Sequence, residues 1–107
     1  MPTEVTRDNF DSEVLESEGL VLLDFWGPQC KPCLALMPAV DELEKEYVGK
    51  IKFGKINATE NRMLCAKLRV MGLPTFLFYK DKDEIHRLTG NQISKNDLTI
   101  AIKKFLD

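Results

Sequence analysis

Two cysteines, Cys30 and Cys33, stand two residues apart where an apolar run gives way to a helical pattern. A cysteine in the first turn of a helix meets backbone N–H groups that lack partners within the helix and carry partial positive charge. These groups stabilise a thiolate, and the charge of Lys31 adds to the effect. Cys33 lies about one helical turn further on, close enough to form a disulfide with Cys30. The pair therefore predicts thiol–disulfide exchange, with Cys30 as the nucleophile and Cys33 as the resolving thiol.

A zinc site is the alternative interpretation of the same cysteine pair. Structural zinc takes four ligands, usually cysteine or histidine. The only other cysteine and the only histidine are Cys65 and His86, and neither belongs to a second paired motif. We therefore favour redox chemistry without a metal or a cofactor, the redox group being the reversible Cys30–Cys33 disulfide. Cys65 is expected to be a buried structural thiol, and His86 is expected to face solvent.

Two charged residues fall at positions that the pattern places inside the protein. Asp24 interrupts the apolar run of residues 21–26, which predicts a buried strand. Burial disfavours a charged carboxylate, so the pKa of Asp24 should rise, and its carboxyl group is suited to exchange a proton with Cys33. Lys55 has inward parity in its own strand and is the expected partner of Asp24. A purely structural ion pair, which would contribute little net stability, is the alternative.

The chain length and the net charge limit the classes of protein to which this chain can belong. The 107 residues suit one domain over residues 1–107. The net charge of −2 favours neither nucleic acid nor an anionic membrane as a partner. No apolar stretch approaches the ~18 residues of a membrane span, and the first residues lack the basic and apolar parts of a signal peptide. We therefore expect a cytoplasmic monomer.

The elements that must position these residues follow from hydrophobic periodicity. Apolar runs and alternation predict strands at residues 2–6, 21–26, 51–57, 75–79 and 84–89. Helical spacing and capping residues predict four helices, which follow Thr6, extend from Cys33 to Gly49, follow Thr59 over residues 60–69, and follow Ser94. The order β-α-β-α-β-α-β-β-α predicts a mixed sheet covered by helices on both faces.

Several segments together match a known pattern. Asp24-Phe25-Trp26 precedes the Cys-x-x-Cys motif, and Leu73-Pro74-Thr75 follows it by about forty residues. Further matches are residues 21–23, Pro38, Lys55, residues 57–61, Gly72 and Gly90. The chain thus resembles the thioredoxin family along almost its whole length. The resemblance implies an α/β thioredoxin fold, in which a five-stranded mixed β-sheet is flanked by four α-helices. It also implies a cis peptide bond before Pro74, facing the cysteines.

The resemblance further implies a function and a set of site residues. Members of this family are protein-disulfide reductases, enzymes that carry electrons from thioredoxin reductase or an equivalent donor to disulfides of target proteins. Cys30, Cys33, Asp24 and Lys55 are the implied catalytic group. The implied substrate-binding residues are Trp26, Gln29, Lys31, Pro32, Gly72, Leu73 and Pro74. The alternative function is a binding module that docks in a larger reductase complex without turnover of its own.

The match departs from the family next to the cysteines. Gln29 stands where the family commonly has tryptophan, and Lys31 stands where it commonly has glycine. Leu34 replaces a frequent lysine, and Lys82 replaces a turn glycine. These departures bear on partner choice and redox potential rather than on the exchange chemistry. They resemble those of atypical thioredoxins that serve dedicated reductase systems in anaerobes.

Overall fold

The computed structural model describes residues 2–106. Its strands are β1 (Thr3–Glu4), β2 (Leu20–Trp26), β3 (Ile51–Asn57), β4 (Thr75–Lys80) and β5 (Asp83–Thr89). Its helices are a short π-helical segment (Asp11–Leu15), α1 (Lys31–Glu46), α2 (Arg62–Lys67) and α3 (Lys95–Phe105). The prediction of a five-stranded mixed sheet with four helices is confirmed.

Strand β2 lies at the centre of the sheet, whose order is β1-β3-β2-β4-β5. It pairs in parallel with β3 and antiparallel with β4, while β1 is parallel to β3 and β5 is antiparallel to β4. The cysteine motif follows directly after the carboxyl end of β2, where sites of open α/β sheets commonly lie.

The two faces of β2 belong to two separate cores, which explains its nearly continuous apolar sequence. Leu20 and Leu22 pack with apolar residues of α1 and α3. The alternate positions Val21, Leu23 and Phe25 pack with residues of the π-helical segment and α2. Since side chains of a strand alternate between faces, Asp24 faces the α1 and α3 side.

The helix starts test the capping predictions. Ser94 caps α3 in a capping box with Asp97, as predicted. The predictions for Thr6 and Thr59 are wrong, because neither side chain caps a helix. The Thr59 N–H instead donates to the side chain of Asn57 at 3.0 Å, in a turn that delays the helix. As a result α2 starts later than predicted, and it also ends earlier, because Arg69 has a left-handed φ of +59°. Among residues 2–106 no helix is both long and apolar enough to cross a membrane.

Candidate active site

Cys30 and Cys33 form a disulfide at the start of α1, with their Cα atoms 5.2 Å apart. Cys30 is the N-cap residue, and its sulfur accepts a hydrogen bond from the Cys33 N–H at 3.2 Å. The Cys30 N–H donates to the carbonyl oxygen of Gly27 at 3.1 Å, which closes the turn between β2 and α1. Both sulfurs are therefore held within the first turn of the helix.

The two cysteines differ in exposure. Cys30 is half-buried, whereas Cys33 is only 1% exposed. Lys31 and Pro32 occupy the first two helical positions, where a backbone N–H has no helical acceptor and proline is therefore tolerated. The Lys31 side chain is exposed. The predicted placement, with Cys30 outside at the helix end and Cys33 inside, is confirmed.

Asp24 lies two residues before the end of β2 and is 4% exposed. Its pKa is raised from 3.8 to about 7, mainly because burial penalises the charged carboxylate. The positive charge of Lys55 lowers this pKa, and the negative charge of Asp41 raises it. Asp24 and Lys55 are paired in register across β2 and β3. The predicted burial of Asp24 and its interaction with Lys55 are thus confirmed.

A small cavity of about 60 Å³ reaches Asp24 from the surface. It is lined by Pro2, Asp24, Met37, Val40, Asp41 and Lys55. Cys33 is not among the lining residues, but Cys33, Met37 and Val40 are spaced i, i+4 and i+7 on α1 and share one face of the helix. The cavity therefore begins one helical turn beyond the inner cysteine. Lys55 also lies over the Trp26 ring, with its Nζ atom 6.0 Å from the ring centroid.

A second segment, residues 71–74, approaches the cysteine turn from the other side, and we call it the cis-proline strip. The peptide bond between Leu73 and Pro74 is cis, as the family resemblance implied. A Cβ atom added to Gly27 would lie 3.2 Å from a Leu73 methyl group, so glycine permits the close approach of the two segments. The strip thus lies beside the turn that holds Cys30.

A groove of about 450 Å³ runs between α2 and the cis-proline strip. Its lining residues are mostly apolar or small: Ala58, Thr59, Arg62, Cys65, Ala66, Val70, Met71, Gly72 and Leu73. Met71, at its rim, is 90% exposed. An exposed apolar rim next to a reactive disulfide is suited to contact a protein.

Comparison with known proteins decides the family. The sequence model described as Thioredoxin matches residues 1–104. The chain is 41% identical over 103 residues to the thioredoxin of Acetoanaerobium sticklandii, which covers 96% of this chain and 98% of the relative. It is 39% identical over 101 residues to the thioredoxin of Peptoclostridium acidaminophilum, covering 94% and 92% of the two chains. It is 36% identical over 103 residues to Thioredoxin 1 of Nostoc sp., covering 96% and 95%.

This chain belongs to the thioredoxin family. Thioredoxins are protein-disulfide oxidoreductases, and the bonded pair of Cys30 and Cys33 fits their dithiol–disulfide exchange. The fold that the sequence predicted is the thioredoxin fold. Family membership implies a reductase and protein disulfides as partners.

Thioredoxins typically need no cofactor. Within residues 2–106 no cluster of three or more His, Cys, Asp or Glu side chains is arranged to hold a metal ion.

The residues that the thioredoxin resemblance implied for substrate binding lie around the disulfide, and their side chains differ in exposure to solvent. Gln29, Lys31 and Gly72 are exposed, and Trp26, Pro32 and Leu73 are half-buried. Pro74 is buried. The exposed and half-buried members are available to a protein that approaches Cys30, whereas Pro74 shapes the strip from within.

Among the described residues, neither of the other two metal-ligand candidates joins the cysteine pair in a metal-binding cluster. Cys65 is a free thiol that is 7% exposed, and burial raises its pKa, in agreement with the predicted burial. The prediction that His86 faces solvent is wrong. Its ring is half-buried and packs 5.5 Å from the Phe78 centroid and 5.1 Å from the Phe105 centroid. The aromatic neighbours cover an edge-strand residue that the sequence pattern leaves open.

Sequence reasoning missed Asp41 in this thioredoxin. Its side chain lines the cavity of Asp24 and changes the charge that Asp24 experiences. One signal was available, because Asp41 stands four residues after Met37 and eight after Cys33, on the side of α1 that faces the sheet. An acidic residue in a charged helix is usually assigned to the solvent face, and this is why spacing alone did not single it out.

Proposed function

We propose that this thioredoxin reduces protein disulfides with Cys30 as the attacking thiol and Cys33 as the resolving thiol. The observation that carries the assignment is the difference in exposure at one helix end, where Cys30 is half-buried and Cys33 is almost fully buried. A thiolate must reach the substrate sulfur, so the accessible sulfur attacks. The unpaired N–H groups and partial positive charge of the helix start stabilise the Cys30 thiolate.

The reaction proceeds in two exchanges. The Cys30 thiolate attacks one sulfur of the substrate disulfide, forms a mixed disulfide and releases the other sulfur as a thiolate. Cys33 then loses its proton and attacks the Cys30 sulfur. The Cys30–Cys33 disulfide forms, and the second substrate thiol departs. Two electrons pass from the dithiol to the substrate, and a reductase or equivalent donor restores the dithiol.

We infer that Asp24 accepts the proton of Cys33 during the second exchange. Its pKa of about 7 leaves both protonation states available near neutral pH, which suits a group that takes and returns a proton. The cavity at Asp24 begins one turn beyond Cys33 on the same face of α1 and offers a route by which Asp24 passes the proton on to solvent. Lys55 tunes the carboxylate by its positive charge.

Substrate docking is assigned to the surface around Cys30. Strand-like pairing of a substrate segment with the backbone of Gly72 and Leu73 places its disulfide over the cysteines. Trp26, Gln29, Lys31 and Pro32 form the facing side. With Gln29 and Lys31 beside the cysteines, the Cys-Lys-Pro-Cys site is atypical and presents an amide and a cation where the family commonly has an indole and a glycine. We expect these two residues to select partners.

We propose that residues 1–107 form one domain and that the protein acts as a monomer. A reducing compartment such as the cytoplasm keeps the dithiol form available for turnover.

Insulin reduction tests this function. With dithiothreitol as the electron donor, the wild-type chain should accelerate precipitation of the insulin B chain, whereas the Cys30→Ser and Cys33→Ser variants should not. A module that only docks in a larger complex would leave the rate at that of dithiothreitol alone. Such a result would reject the reductase assignment.

A further inference from the structure

An arginine on the edge strand holds the far end of α2. The Arg87 guanidinium, on β5, donates to the carbonyl oxygens of Leu68 and Arg69, each at 2.8 Å. It also donates to both carboxylate oxygens of Glu84, at 2.7 and 2.9 Å. The guanidinium therefore joins two carbonyl groups and a carboxylate in one planar arrangement, a geometry that lysine cannot reproduce.

The carbonyl groups that Arg87 binds need an external donor. The last carbonyl groups of a helix have no N–H partner within it, and Leu68 and Arg69 directly follow the end of α2. Arg69 also has a φ of +59°, a left-handed conformation that is unfavourable for a side chain without special stabilisation. Arg87 thus fixes a strained turn at the helix end.

This turn leads into the substrate-facing segments. Val70 and Met71 follow it at once, and they form one wall of the groove together with Gly72 and Leu73 of the cis-proline strip. Cys65 belongs to the opposite wall, and its carbonyl oxygen accepts the Val70 N–H at 2.8 Å. The end of α2 is therefore the joint between the two walls. Arg87 holds this joint from outside, without lining the groove.

We propose that the Arg87–Glu84 pair is a positioning device that sets the groove and the cis-proline strip for protein substrates. The inference rests on the proposed reductase function. As a half-exposed ion pair alone, Arg87 and Glu84 would contribute little to stability. Their importance lies in orientation: Glu84 fixes the guanidinium plane, and the remaining donors then fix the joint.

The first experiment compares a large and a small substrate. In Arg87→Gln, we expect KM for insulin to rise by about fivefold with kcat little changed. This is the size expected when the displaced cis-proline strip loses one hydrogen bond of ordinary strength to the substrate. Bis(2-hydroxyethyl) disulfide is small enough to reach Cys30 without contacting the groove, so its reduction should keep the wild-type rate, and the redox potential should stay the same. Glu84→Gln should have a smaller effect in the same direction.

The controls separate geometry from charge. Arg87→Lys keeps the charge but cannot bind two carbonyl groups and a carboxylate together, so it should not restore the KM. Lys103→Gln removes a similar charge from the exposed last turn of α3 and should match the wild type. Restoration by lysine, or equal losses with both substrates, would overturn the proposal.

A second measurement does not depend on turnover. In the oxidised protein Cys65 is the free thiol, and it lines the groove at the joint. Loosening of the joint should make iodoacetamide label Cys65 faster in Arg87→Gln, by about tenfold if the helix end opens locally. Unchanged labelling together with an unchanged KM would refute the inference. A wild-type chain that cannot reduce insulin would instead reject the reductase function. If Arg87→Gln does not fold, Glu84→Gln carries both measurements.

Discussion

At the scale of single residues, the raised pKa of Asp24 links the proposed proton transfer to the stability of the fold. Its pKa is about 7 in the folded chain, against 3.8 as the ordinary value. Between these pH values the folded state holds a proton that the unfolded state has lost. Stability from this group is therefore greatest at low pH and falls as pH rises towards 7, by about 1.4 kcal/mol per pH unit.

The Asp24→Asn variant should remove this pH dependence. Compared with wild type, it should be nearly equal in stability close to pH 4 and more stable above pH 7, by up to about 4 kcal/mol. Urea unfolding of both oxidised proteins at pH 5 and pH 8 measures the difference in their free energy of unfolding. The contributions of all other carboxylates are common to both proteins and cancel in this difference. Insulin reduction by the variant should be slower, since Cys33 loses its proton acceptor. A stability difference that is the same at both pH values would contradict the prediction.

Asp41 gives the second prediction at this scale. Because its negative charge raises the pKa of Asp24, Asp41→Asn should lower that pKa, and Lys55→Gln should raise it. Carbon NMR of the Asp24 carboxyl group across a pH titration measures both. Glu42→Gln is the matched control, because Glu42 is exposed on the same helix and pairs with Lys95 at 3.5 Å. Equal titration of Asp24 in wild type and Asp41→Asn would show that the cavity carboxylate has no influence.

At the scale of elements, the sequence predicts strands better than the ends of helices. Strand β3 has the predicted bounds, because the apolar alternation that defines it is local. The start of α2 was misplaced, because the Asn57 side chain competes for the Thr59 N–H and the turn continues to Asn61. Arg87 carried no sequence signal of its role, since its two carbonyl partners lie about twenty residues earlier and meet it only in the folded chain.

The turn between β4 and β5 gives a prediction of its own. Asp81 and Lys82 both have positive φ, +52° and +76°, in a two-residue hairpin turn that favours glycine at the second position. Lys82→Gly should therefore stabilise the fold by about 0.5–1 kcal/mol, after the larger entropy of glycine in the unfolded chain is included. The variant also loses the exposed hydrogen bond from Lys82 Nζ to the Leu15 carbonyl oxygen, which is 3.1 Å long.

Lys82→Ala separates these two effects in urea unfolding. It loses the same hydrogen bond but keeps a Cβ atom in the left-handed region, so it should gain nothing over wild type. A glycine variant no more stable than the alanine variant would show that the turn is not strained by its side chain.

At the scale of the whole molecule, the sheet separates the cavity proposed for proton transfer from the groove proposed for substrate docking. The cavity of Asp24 lies on the α1 side of β2, among the core that contains Leu22 and Val40. The groove lies on the α2 side, next to the core that contains Phe25 and Cys65. Periodicity alone predicts both layers, but it does not predict that the cis-proline strip packs beside the turn that holds Cys30. That requires the central place of β2 and the close packing of Gly27 against Leu73.

This arrangement makes the two thiols unequal in the intact protein, and trapping measures the inequality. Cys33→Ser leaves the accessible Cys30 able to attack but removes the thiol that resolves the complex. The variant should therefore accumulate mixed disulfides with protein substrates, which dithiothreitol releases. Cys30→Ser should trap little, because Cys33 is 1% exposed and a protein disulfide cannot reach its sulfur. In the reduced wild type, a limiting dose of iodoacetamide should label Cys30 before Cys33 and Cys65, whose sulfurs are buried. Equal trapping by both variants would mean that burial does not assign the roles, and that the exposed helix end does not direct the chemistry.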